Sequence, residues 1–321
     1  MNRNKIIIFL IGSLLFSHNI LCQNAIPQNM LNPAFLLQAT QSKNKFYIVN
    51  QSLNSFFKKK INLNENINTD STLYIYEFLS NGNMIKKLAE ADFYRTFFSI
   101  CILNNKIYIA GGYDNKGIPS KSLFEYDLAS HKWSEKTEMF YARTKFALEC
   151  INGKLYAIGG EGIKPSIEYY TPENDLWEII DFKLIPSNTK PIDTIAASAV
   201  IEDKIYLLNY NGSVFQIFTP NQNLLSEGPS TPIKSNYFDM LAVNKKLYVA
   251  AGVTQTSIDN KIYLYDAVEG VWSITGNIPL PRFGSALAYF NKAIIFIGGS
   301  TNTNIQSIVP TNEIYLYRPM K

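Results

Sequence analysis

The stretch KLYAIGGEG, residues 154–162, is a short apolar run that ends at two adjacent glycines. Close copies of this run recur along the chain of 321 residues. They are KFYIVNQ from Lys45, KIYIAGG from Lys106, KIYLLNY from Lys204, KLYVAAG from Lys246 and AIIFIGG from Ala293. From the second copy onward, the interval between copies is about 42 to 50 residues. Self-similarity at such a period predicts a repeat architecture, here with six units.

Each copy lies within a larger unit of strand-like runs. An apolar run such as FFSICIL or KFALECI precedes it across a short polar turn, and this pattern predicts a β-hairpin. A third run follows, such as SLFEYDL from Ser122, and Trp133, Trp177 and Trp272 close three of these segments before a short fourth run. Four antiparallel strands at this period are typical of a β-propeller blade. We therefore expect an all-β fold, a six-bladed propeller with four antiparallel strands in each blade.

The repeat boundaries define the expected blades and the closure of the ring. The units cover about 34–93, 94–141, 142–190, 191–233, 234–280 and 281–321. The first unit is lengthened by residues 51–70, which we place between its second and third strands. Residues 23–33 parallel a segment of the fifth unit, with Ile26-Pro27 matching Ile278-Pro279. We expect this N-terminal strand to complete the last blade and to leave no open sheet edge there.

The pattern resembles the kelch repeat, and specific residues carry the resemblance. They are Arg95, Arg143 and Arg282, the glycine pairs at 111/112, 159/160 and 298/299, the Tyr-Asp pairs at 126/127 and 265/266, and the three tryptophans. The resemblance covers residues 23–321 and implies a single propeller domain. It implies little about function, because one fold hosts many functions. We interpret the glycine pairs as packing positions, since glycine admits positive φ and close approach by neighbouring groups.

Residues 1–22 differ in character from the rest of the chain. Arg3 and Lys5 precede an apolar run at residues 6–16, which is too short to span a bilayer and is typical of a secretory signal peptide. We expect cleavage near Cys22 and an exported protein, periplasmic or extracellular, with no membrane span after cleavage. A transmembrane anchor is the alternative for this run. Lipidation of Cys22 is another, although Leu21 is bulkier than a lipidation motif allows.

Charge and cysteine content limit the partners. Removal of Arg3 and Lys5 from the 30 basic residues leaves 28, against 26 acidic residues. The basic run at 58–60 is interpreted as a solvated loop, so nucleic acid is not an expected partner. Cys101 and Cys150 are the cysteines beyond residue 22, and two cysteines do not make a disulfide framework. We expect buried free thiols, although an exported protein meets an oxidising compartment.

The resemblance also implies where a ligand would bind. In kelch propellers, the loops after the glycine pairs and the residues that open the first strands converge on one face. At the strand-opening positions this chain has Arg95, Arg143, Lys145, Asp193, Tyr237 and Arg282. After the glycine pairs, or in their place, it has Tyr113, Asp114, Glu161, Asn211, Thr254 and Ser300. This mixture suits a polar ligand such as a sugar or a peptide loop. Each Arg has a structural alternative, in which it binds backbone carbonyls between blades.

Metal and nucleophilic catalysis are disfavoured by the histidine content. His131 is the one histidine beyond residue 22, so the several-histidine copper site of oxidases built on kelch propellers cannot form. A nucleophile activated by histidine is similarly hard to assemble around His131. The sequence therefore predicts no metal and no cofactor.

Acid–base catalysis is compatible with the sequence, because the chain has a second, more distant resemblance. The chain is similar to the exported bacterial N-acetylneuraminate epimerases, which are sugar mutarotases, in size, export signal and six-repeat organisation. That resemblance implies a catalytic carboxylate beside an Arg that clamps the sugar's own carboxylate. Glu161 and Asp239 are the candidates, with Glu149 weaker, and the clamp would be one of the three repeat arginines. The structural alternative is a buried carboxylate bonded to backbone or to an Arg between blades.

Two functions are therefore compatible with the sequence. The first, which we favour, is an exported binding module, a monomer that captures a protein or glycan on its loop face. The alternative is a sugar mutarotase or epimerase. An Arg–carboxylate pair facing across the channel mouth would separate the two.

Overall fold

The fold is a ring of six antiparallel sheets. The computed structural model describes residues 38–42, 45–50, 72–78, 85–161, 165–188, 190–250, 252–254, 256–278, 280–301 and 314–318. Blade 1 contains β1 (Gln38–Ser42), β2 (Lys45–Val49), β3 (Tyr74–Phe78) and β4 (Ile85–Glu90). Blade 2 contains β5 (Ser99–Leu103), β6 (Lys106–Ala110), β7 (Leu123–Asp127) and β8 (Lys132–Lys136). Blade 3 contains β9 (Ala147–Ile151), β10 (Lys154–Ile158), β11 (Ile167–Thr171) and β12 (Leu176–Ile180). Blade 4 contains β13 (Lys183–Ile185), β14 (Ile195–Ile201), β15 (Lys204–Asn209), β16 (Phe215–Thr219) and β17 (Leu224–Glu227). Blade 5 contains β18 (Asp239–Val243), β19 (Lys246–Ala250), β22 (Lys261–Asp266) and β23 (Val271–Asn277), with the short pair β20 (Gly252–Val253) and β21 (Ile258–Asp259) between its second and third strands. Blade 6 contains β24 (Ala286–Phe290), β25 (Ala293–Ile297) and β26 (Ile314–Tyr317). The predicted all-β, six-bladed propeller is confirmed.

The first strands of the blades form a closed ring around a central channel. These inner strands are β1, β5, β9, β14, β18 and β24, and each packs against the next, with β24 packing against β1. Residues from all six strands line the channel. Because successive strands in a blade alternate in direction, the loops after the second strands and the loops that lead into the first strands lie at the same end.

Three segments with sequence predictions lie outside the described residues. They are the signal peptide at residues 1–22, the closing strand at residues 23–33 and the insertion at residues 51–70, which follows β2 and precedes β3 along the chain. Blade 6 contributes three strands in the part of the chain that is described. Within that same part, no helix is long and apolar enough to cross a membrane.

The second strands form the core because both of their faces are covered. In β10 every residue after Lys154 is buried, and β6 and β25 show the same pattern. Strands that are covered on both sides are continuously apolar in sequence, which explains the KLYAI-type runs. The fourth strands face solvent and are more polar, as β8 shows with the sequence KWSEK.

Two of the tryptophans tie neighbouring blades together. Trp177 is buried, its ring lies 5.2 Å from that of Tyr170, and its Nε1 donates to the carbonyl of Thr137 at 2.8 Å. Trp133 likewise donates from Nε1 to the carbonyl of Glu90 at 3.0 Å. In each case the acceptor belongs to the end of the preceding blade, so the indole joins one blade to the next.

The glycine pairs act as packing positions, as the sequence indicated. Gly111 has a φ of +62°, and a Cβ atom there would lie 2.5 Å from the carbonyl oxygen of Arg143. Gly112 has a φ of +83°, and a Cβ atom there would lie 2.9 Å from the Cβ of Phe98. Any side chain is therefore excluded both by conformation and by space. Gly111 lets the end of the second strand lie against the opening of the next blade, and Gly112 lets it lie against the opening of its own blade.

A fifth strand in blade 4 was not predicted. β13 comes from the segment between blades 3 and 4, and it pairs in parallel with β17, the outer strand of blade 4. β13 therefore forms the outer edge of the sheet in blade 4, whereas the fourth strand forms the outer edge in the four-stranded blades. The repeat pattern gave no sign of it, because parallel pairing of a linker leaves no periodic signal.

A disulfide joins blades 2 and 3. Cys101 of β5 and Cys150 of β9 are bonded, with their Cα atoms 6.0 Å apart. The expectation of two free thiols is therefore wrong. The two residues are 49 apart in sequence, about one repeat, and β5 and β9 are neighbours in the inner ring. The repeat itself thus brings the two thiols together, which the cysteine count alone did not reveal.

Candidate functional site

The openings of the first strands share an unusual backbone conformation. Phe97, Lys145 and Tyr237 each lie two residues after the position that holds Arg in the best-matched repeats, and their φ values are 54°, 50° and 57°. Gly284 occupies the same position in blade 6, with a φ of 66°. Bulky residues rarely adopt this left-handed conformation, which costs about 1–2 kcal/mol for each residue. Strain of this kind clusters at binding sites and persists where neighbours enforce it.

Backbone hydrogen bonds between blades enforce this conformation. The N–H of Lys145 donates to the carbonyl of Phe97 at 3.3 Å, and the N–H of Ile195 donates to the carbonyl of Lys145 at 2.9 Å. The N–H of Gly284 donates to the carbonyl of Tyr237 at 2.8 Å. Each bond links consecutive blades, so the side chains at these positions are held around one opening of the channel.

Six side chains from blades 2 to 5 meet at this opening, and we call them the mouth cluster. Its members are Phe97, Tyr113, Lys145, Glu161, Tyr210 and Tyr237. Lys145 Nζ lies 3.1 Å from Glu161 Oε2, and Tyr113 donates its hydroxyl to the same oxygen at 3.0 Å. Lys145 Nζ also lies 5.5 Å from the ring centroid of Phe97 and 5.2 Å from that of Tyr210. The ammonium group is therefore held by one carboxylate and two aromatic rings.

Tyr113 and Tyr210 of the mouth cluster stay neutral, because the pKa of each is raised. The rings of Tyr210 and Tyr237 are nearly perpendicular, with centroids 5.4 Å apart. Burial raises the pKa of Tyr210 well above its usual range, and Tyr237 and the charge of Glu161 raise it further. Burial also raises the pKa of Tyr113, and its hydrogen bond to Glu161 acts in the same direction. The hydroxyls of Tyr113 and Tyr210 therefore remain protonated, and the aromatic rings of the cluster offer electron-rich faces to a ligand.

Below the mouth cluster, a cavity of about 210 Å³ leads into the channel. Glu149 lines it and accepts a hydrogen bond from Ser198 Oγ at 2.6 Å. Asp239 also lines it and accepts two backbone N–H groups, each at 2.8 Å. Among the described residues of the lining, these two are the acidic groups and Lys145 at the mouth is the basic one. The deeper part of the channel is therefore lined by acidic groups without a basic group beside them.

Both channel carboxyl groups titrate closer to neutral pH than usual. Burial raises the pKa of Glu149 from its ordinary 4.5 to about 7, and the charge of Asp239 also raises it, whereas the hydrogen bond from Ser198 lowers it. Burial raises the pKa of Asp239 from 3.8 to about 6, against the effect of its two backbone donors. Both side chains keep partial access to solvent through the channel. A nearby cation would favour their ionised forms.

We expect the free energy of unfolding to fall as pH rises from about 5 to 8. The folded protein binds the protons of Glu149 and Asp239 more tightly than the unfolded chain does, because both pKa values are raised. This contribution is complete below the unfolded pKa values and is lost as pH passes the folded ones. With one pKa unit equivalent to 1.36 kcal/mol, and with solvent present in the channel, we expect a loss of about 2 kcal/mol.

Chemical denaturation at several pH values checks this expectation. The matched control is the Glu149→Gln, Asp239→Asn double variant, in which neither side chain titrates. Its free energy of unfolding should change less over the same pH range. An equal fall in the wild type and in this variant would contradict the assignment.

The repeat arginines of blades 3 and 6 lie inside the blades. Arg143 and Arg282 are fully buried, and each donates to the carbonyl of the first glycine of its own pair. Arg143 Nη2 lies 2.7 Å from Glu168 Oε1, and the guanidinium carbon of Arg282 lies 3.9 Å from the ring centroid of Tyr315. The guanidinium groups of Arg143 and Arg282 therefore do not line the channel. Each binds a backbone carbonyl, as the structural alternative for these arginines expects.

In blades 2, 3 and 6, a residue of the third strand contacts the repeat arginine. In blade 2, the guanidinium carbon of the half-buried Arg95 lies 5.5 Å from the ring centroid of Phe124, which corresponds to Glu168 in blade 3. Blade 4 has Asp193 in place of Arg, and the neutral Gln216 in place of Glu168. Gln216 binds backbone groups of the loop before the first strand instead. Blade 4 thus lacks both members of the Arg–Glu pair of blade 3.

The remaining predicted contacts lie in loops or in blade walls. Asp114 accepts two backbone N–H groups within its own loop, and the exposed Asn211 accepts from Ser213. Asp193 is exposed, whereas Ser300 is buried and pairs through its backbone with the opening of blade 6. Their roles as ligand contacts stay predictions.

The structure brings Tyr113, Lys145, Glu161 and Tyr237 together at the mouth, with Asp239 below them. Sequence reasoning missed Phe97, Tyr210 and Ser198 as members of this site. Phe97 had a usable signal, because it lies at the same offset from the Arg position as Lys145 and Tyr237. Within the described residues, no group of three or more His, Cys, Asp and Glu side chains is placed to hold a metal ion.

Comparison with known proteins supports the repeat assignment. Residues 94–140 and 142–180, which are blades 2 and 3, match the family model of the Kelch motif. The chain is 24% identical over 251 residues to Kelch-like protein 25 of Xenopus tropicalis, covering 71% of this chain and 41% of that protein. It is 24% identical over 252 residues to alpha-scruin of Limulus polyphemus, covering 69% of this chain and 26% of that protein.

A viral protein is similar to the same degree. The chain is 24% identical over 240 residues to Kelch repeat and BTB domain-containing protein 1 of Vaccinia virus (strain Copenhagen), covering 69% of this chain and 40% of that protein. The matches therefore span well under half of the length of these relatives. The relatives are eukaryotic and viral, and they give no support to the expected likeness to bacterial epimerases.

Fold and site together define a six-bladed β-propeller with a side-chain cluster at one mouth of its channel. Two of its six blades, at residues 94–140 and 142–180, match the Kelch motif.

Proposed function

We propose that this protein is a binding module that captures a protein partner on the face that contains the mouth cluster. The observation that carries the proposal is the set of Phe97, Lys145 and Tyr237 held there by left-handed backbone. Rigid aromatic side chains contribute most to protein interfaces, because they bury much apolar surface at little entropic cost. Kelch propellers generally bind proteins, which agrees with this use of the face.

Exposed apolar side chains extend the same face beside the mouth cluster. Ile118 is 56% exposed in the loop after β6, and Phe140 and Tyr141 are 54% and 41% exposed in the loop before β9. Backbone hydrogen bonds join these two loops, from Met139 N–H to the Lys121 carbonyl and from Arg143 N–H to the Ser120 carbonyl. An apolar area next to an aromatic mouth suits a protein better than a single sugar.

The placement of the arginines favours binding over sugar epimerisation. The epimerase hypothesis needs an Arg at the mouth to hold a sugar carboxylate. Arg143 and Arg282 are enclosed in the blades, and the half-buried Arg95 donates to Ser120 and Ser122. Lys145 is held at the mouth, but Glu161 already neutralises it. We keep export as part of the proposal, with residues 1–22 as a signal peptide. The disulfide supports it, because such bonds persist in oxidising compartments.

Replacement of Tyr237 by glycine is expected to abolish partner capture without unfolding the protein. Glycine relieves the left-handed conformation at φ 57°, and this gain offsets much of the lost ring packing against Tyr210. We expect the free energy of unfolding to change by no more than about 1 kcal/mol. The measurement is affinity capture from an extract of the source cells, followed by titration of the captured protein in purified form.

The matched control is Val268→Ser in the turn between β22 and β23, at the opposite end of the ring, where Val268 is 70% exposed. A protein that binds the wild type and the Val268→Ser variant, but not the Tyr237→Gly variant, supports the proposal. A captured protein that binds all three equally would exclude this face.

A further inference from the structure

The channel below the mouth cluster has a charge that the mouth itself does not show. At the surface, Lys145 and Glu161 form an ion pair and leave the rim close to neutral. Deeper in the channel, the described lining carries Asp239 and then Glu149, with no basic group beside them. A ligand group that passes the aromatic rings therefore enters a cavity that becomes negatively charged as Asp239 and Glu149 ionise.

Glu149 has capacity for a further hydrogen bond. One carboxylate oxygen accepts from Ser198 Oγ at 2.6 Å, and in the described part of the chain no other donor is bound to this side chain. Asp239 differs, since two backbone N–H groups already occupy its two oxygens. Glu149 therefore has more remaining acceptor capacity than Asp239, which lies closer to the mouth and adds its charge there.

The rings above the carboxylates suit a cation that passes between them. Tyr210 and Tyr237 both line the cavity, and Lys145 Nζ already lies 5.2 Å from the Tyr210 ring centroid. A guanidinium or ammonium group near such faces is attracted by the ring quadrupole, more strongly once it is partly desolvated. Rings at the mouth and carboxylates beneath them are complementary to one long basic side chain.

We propose that the channel mouth takes a single basic side chain of the protein partner, arginine or lysine, whose charged end passes the rings of Tyr210 and Tyr237 and binds Glu149 beside Asp239. This inference rests on the proposed function and names the chemistry of the contact. The cavity of about 210 Å³ has room for one such side chain and not for a folded element. An acidic partner side chain would instead meet two carboxylates at close range.

Binding of the basic group is expected to depend on pH. The charged and titratable groups that face Glu149 are Asp239 on β18 and, at the mouth, Lys145, Tyr210 and Tyr237. Of these, Asp239 titrates near Glu149, and the raised pKa of Tyr210 keeps its hydroxyl protonated. A bound cation needs Glu149 ionised, and the pKa of that group is about 7. Affinity for a cation should therefore fall as pH drops from about 8 to 5.5.

The test uses N-acetyl-arginine amide as the probe and N-acetyl-citrulline amide as its uncharged isostere. Both are titrated by calorimetry into the full-length protein at about pH 8. We expect the arginine probe to bind about tenfold more tightly than the citrulline probe, and the Glu149→Gln variant to lose about this factor. Glu173→Gln, in the exposed turn between β11 and β12 at the opposite end, is the matched control and should bind like the wild type.

Equal affinity for the two probes, or undiminished binding of the arginine probe by Glu149→Gln, would overturn the inference. Tighter binding of N-acetyl-glutamate amide than of the arginine probe would overturn it as well. If Glu149→Gln does not fold, the pH series on the wild type decides: affinity that does not fall toward pH 5.5 contradicts the inference. The two proposals fail separately, because loss of partner capture in Tyr237→Gly supports the binding face even where the arginine probe does not bind.

Discussion

Replacement of Glu168 by leucine is expected to lower the free energy of unfolding by about 3–5 kcal/mol. Glu168 and Arg143 are both fully buried, with Arg143 Nη2 2.7 Å from Glu168 Oε1. Glu168 also accepts the backbone N–H groups of Phe140 at 2.6 Å and Tyr141 at 3.3 Å. Burial already lowers the pKa of Arg143, and the charge of Glu168 opposes that shift. Leucine would leave a buried guanidinium group without its counter-charge.

Guanidinium denaturation followed by tryptophan fluorescence measures this loss. Two controls separate the buried charge from ordinary packing. In the Arg143→Met, Glu168→Leu double variant no charge is buried, so it should recover part of the lost stability. Gln216→Leu removes the neutral counterpart in blade 4 and should cost about 1–2 kcal/mol. A Glu168→Leu variant that costs no more than Gln216→Leu would show that the ion pair does not hold blade 3 together.

The fold could be predicted because its signal repeats. Each KLYAIGG-type run needs four buried positions and a glycine pair, in which the Cβ space of the first glycine is taken by the next blade, as at Gly111 beside Arg143. These are local requirements that every blade imposes on its own sequence, so they recur at a fixed period. β13 left no such trace, because it is used once and pairs in parallel.

The site could be predicted only in part, because its side chains are positioned by contacts between blades. The faces of the ring follow from the repeat, so Tyr113, Lys145, Glu161 and Tyr237 were among the predicted contacts. Arg143 and Arg282 lie in the blade walls, where the third-strand residues Glu168 and Tyr315 contact them. Sequence reasoning did not pair Arg143 with Glu168, since the register of β11 was needed to align them.

Loss of the disulfide between Cys101 and Cys150 is expected to lower the free energy of unfolding by about 4 kcal/mol. The bond closes a segment of 49 residues, which includes most of blade 2, and so restricts the unfolded chain. The loop-entropy relation gives about 3 kcal/mol for a loop of 15 residues and about 4.7 kcal/mol for one of 100, and this loop lies between them. The Cys101→Ala, Cys150→Ala double variant, compared with the oxidised wild type by guanidinium denaturation, measures the effect.

The location of the bond makes a second expectation possible. β5 and β9 are neighbours in the inner ring, and Cys101 and Cys150 line the channel below Glu149. Because native contacts still hold the two strands together, the double variant should keep the mouth cluster in place and bind the arginine probe as the wild type does. Reductant should lower the stability of the wild type to that of the double variant and leave the variant unchanged. If reductant affects neither protein, and non-reducing peptide mapping finds both thiols free, the disulfide does not form and the original expectation of free thiols stands.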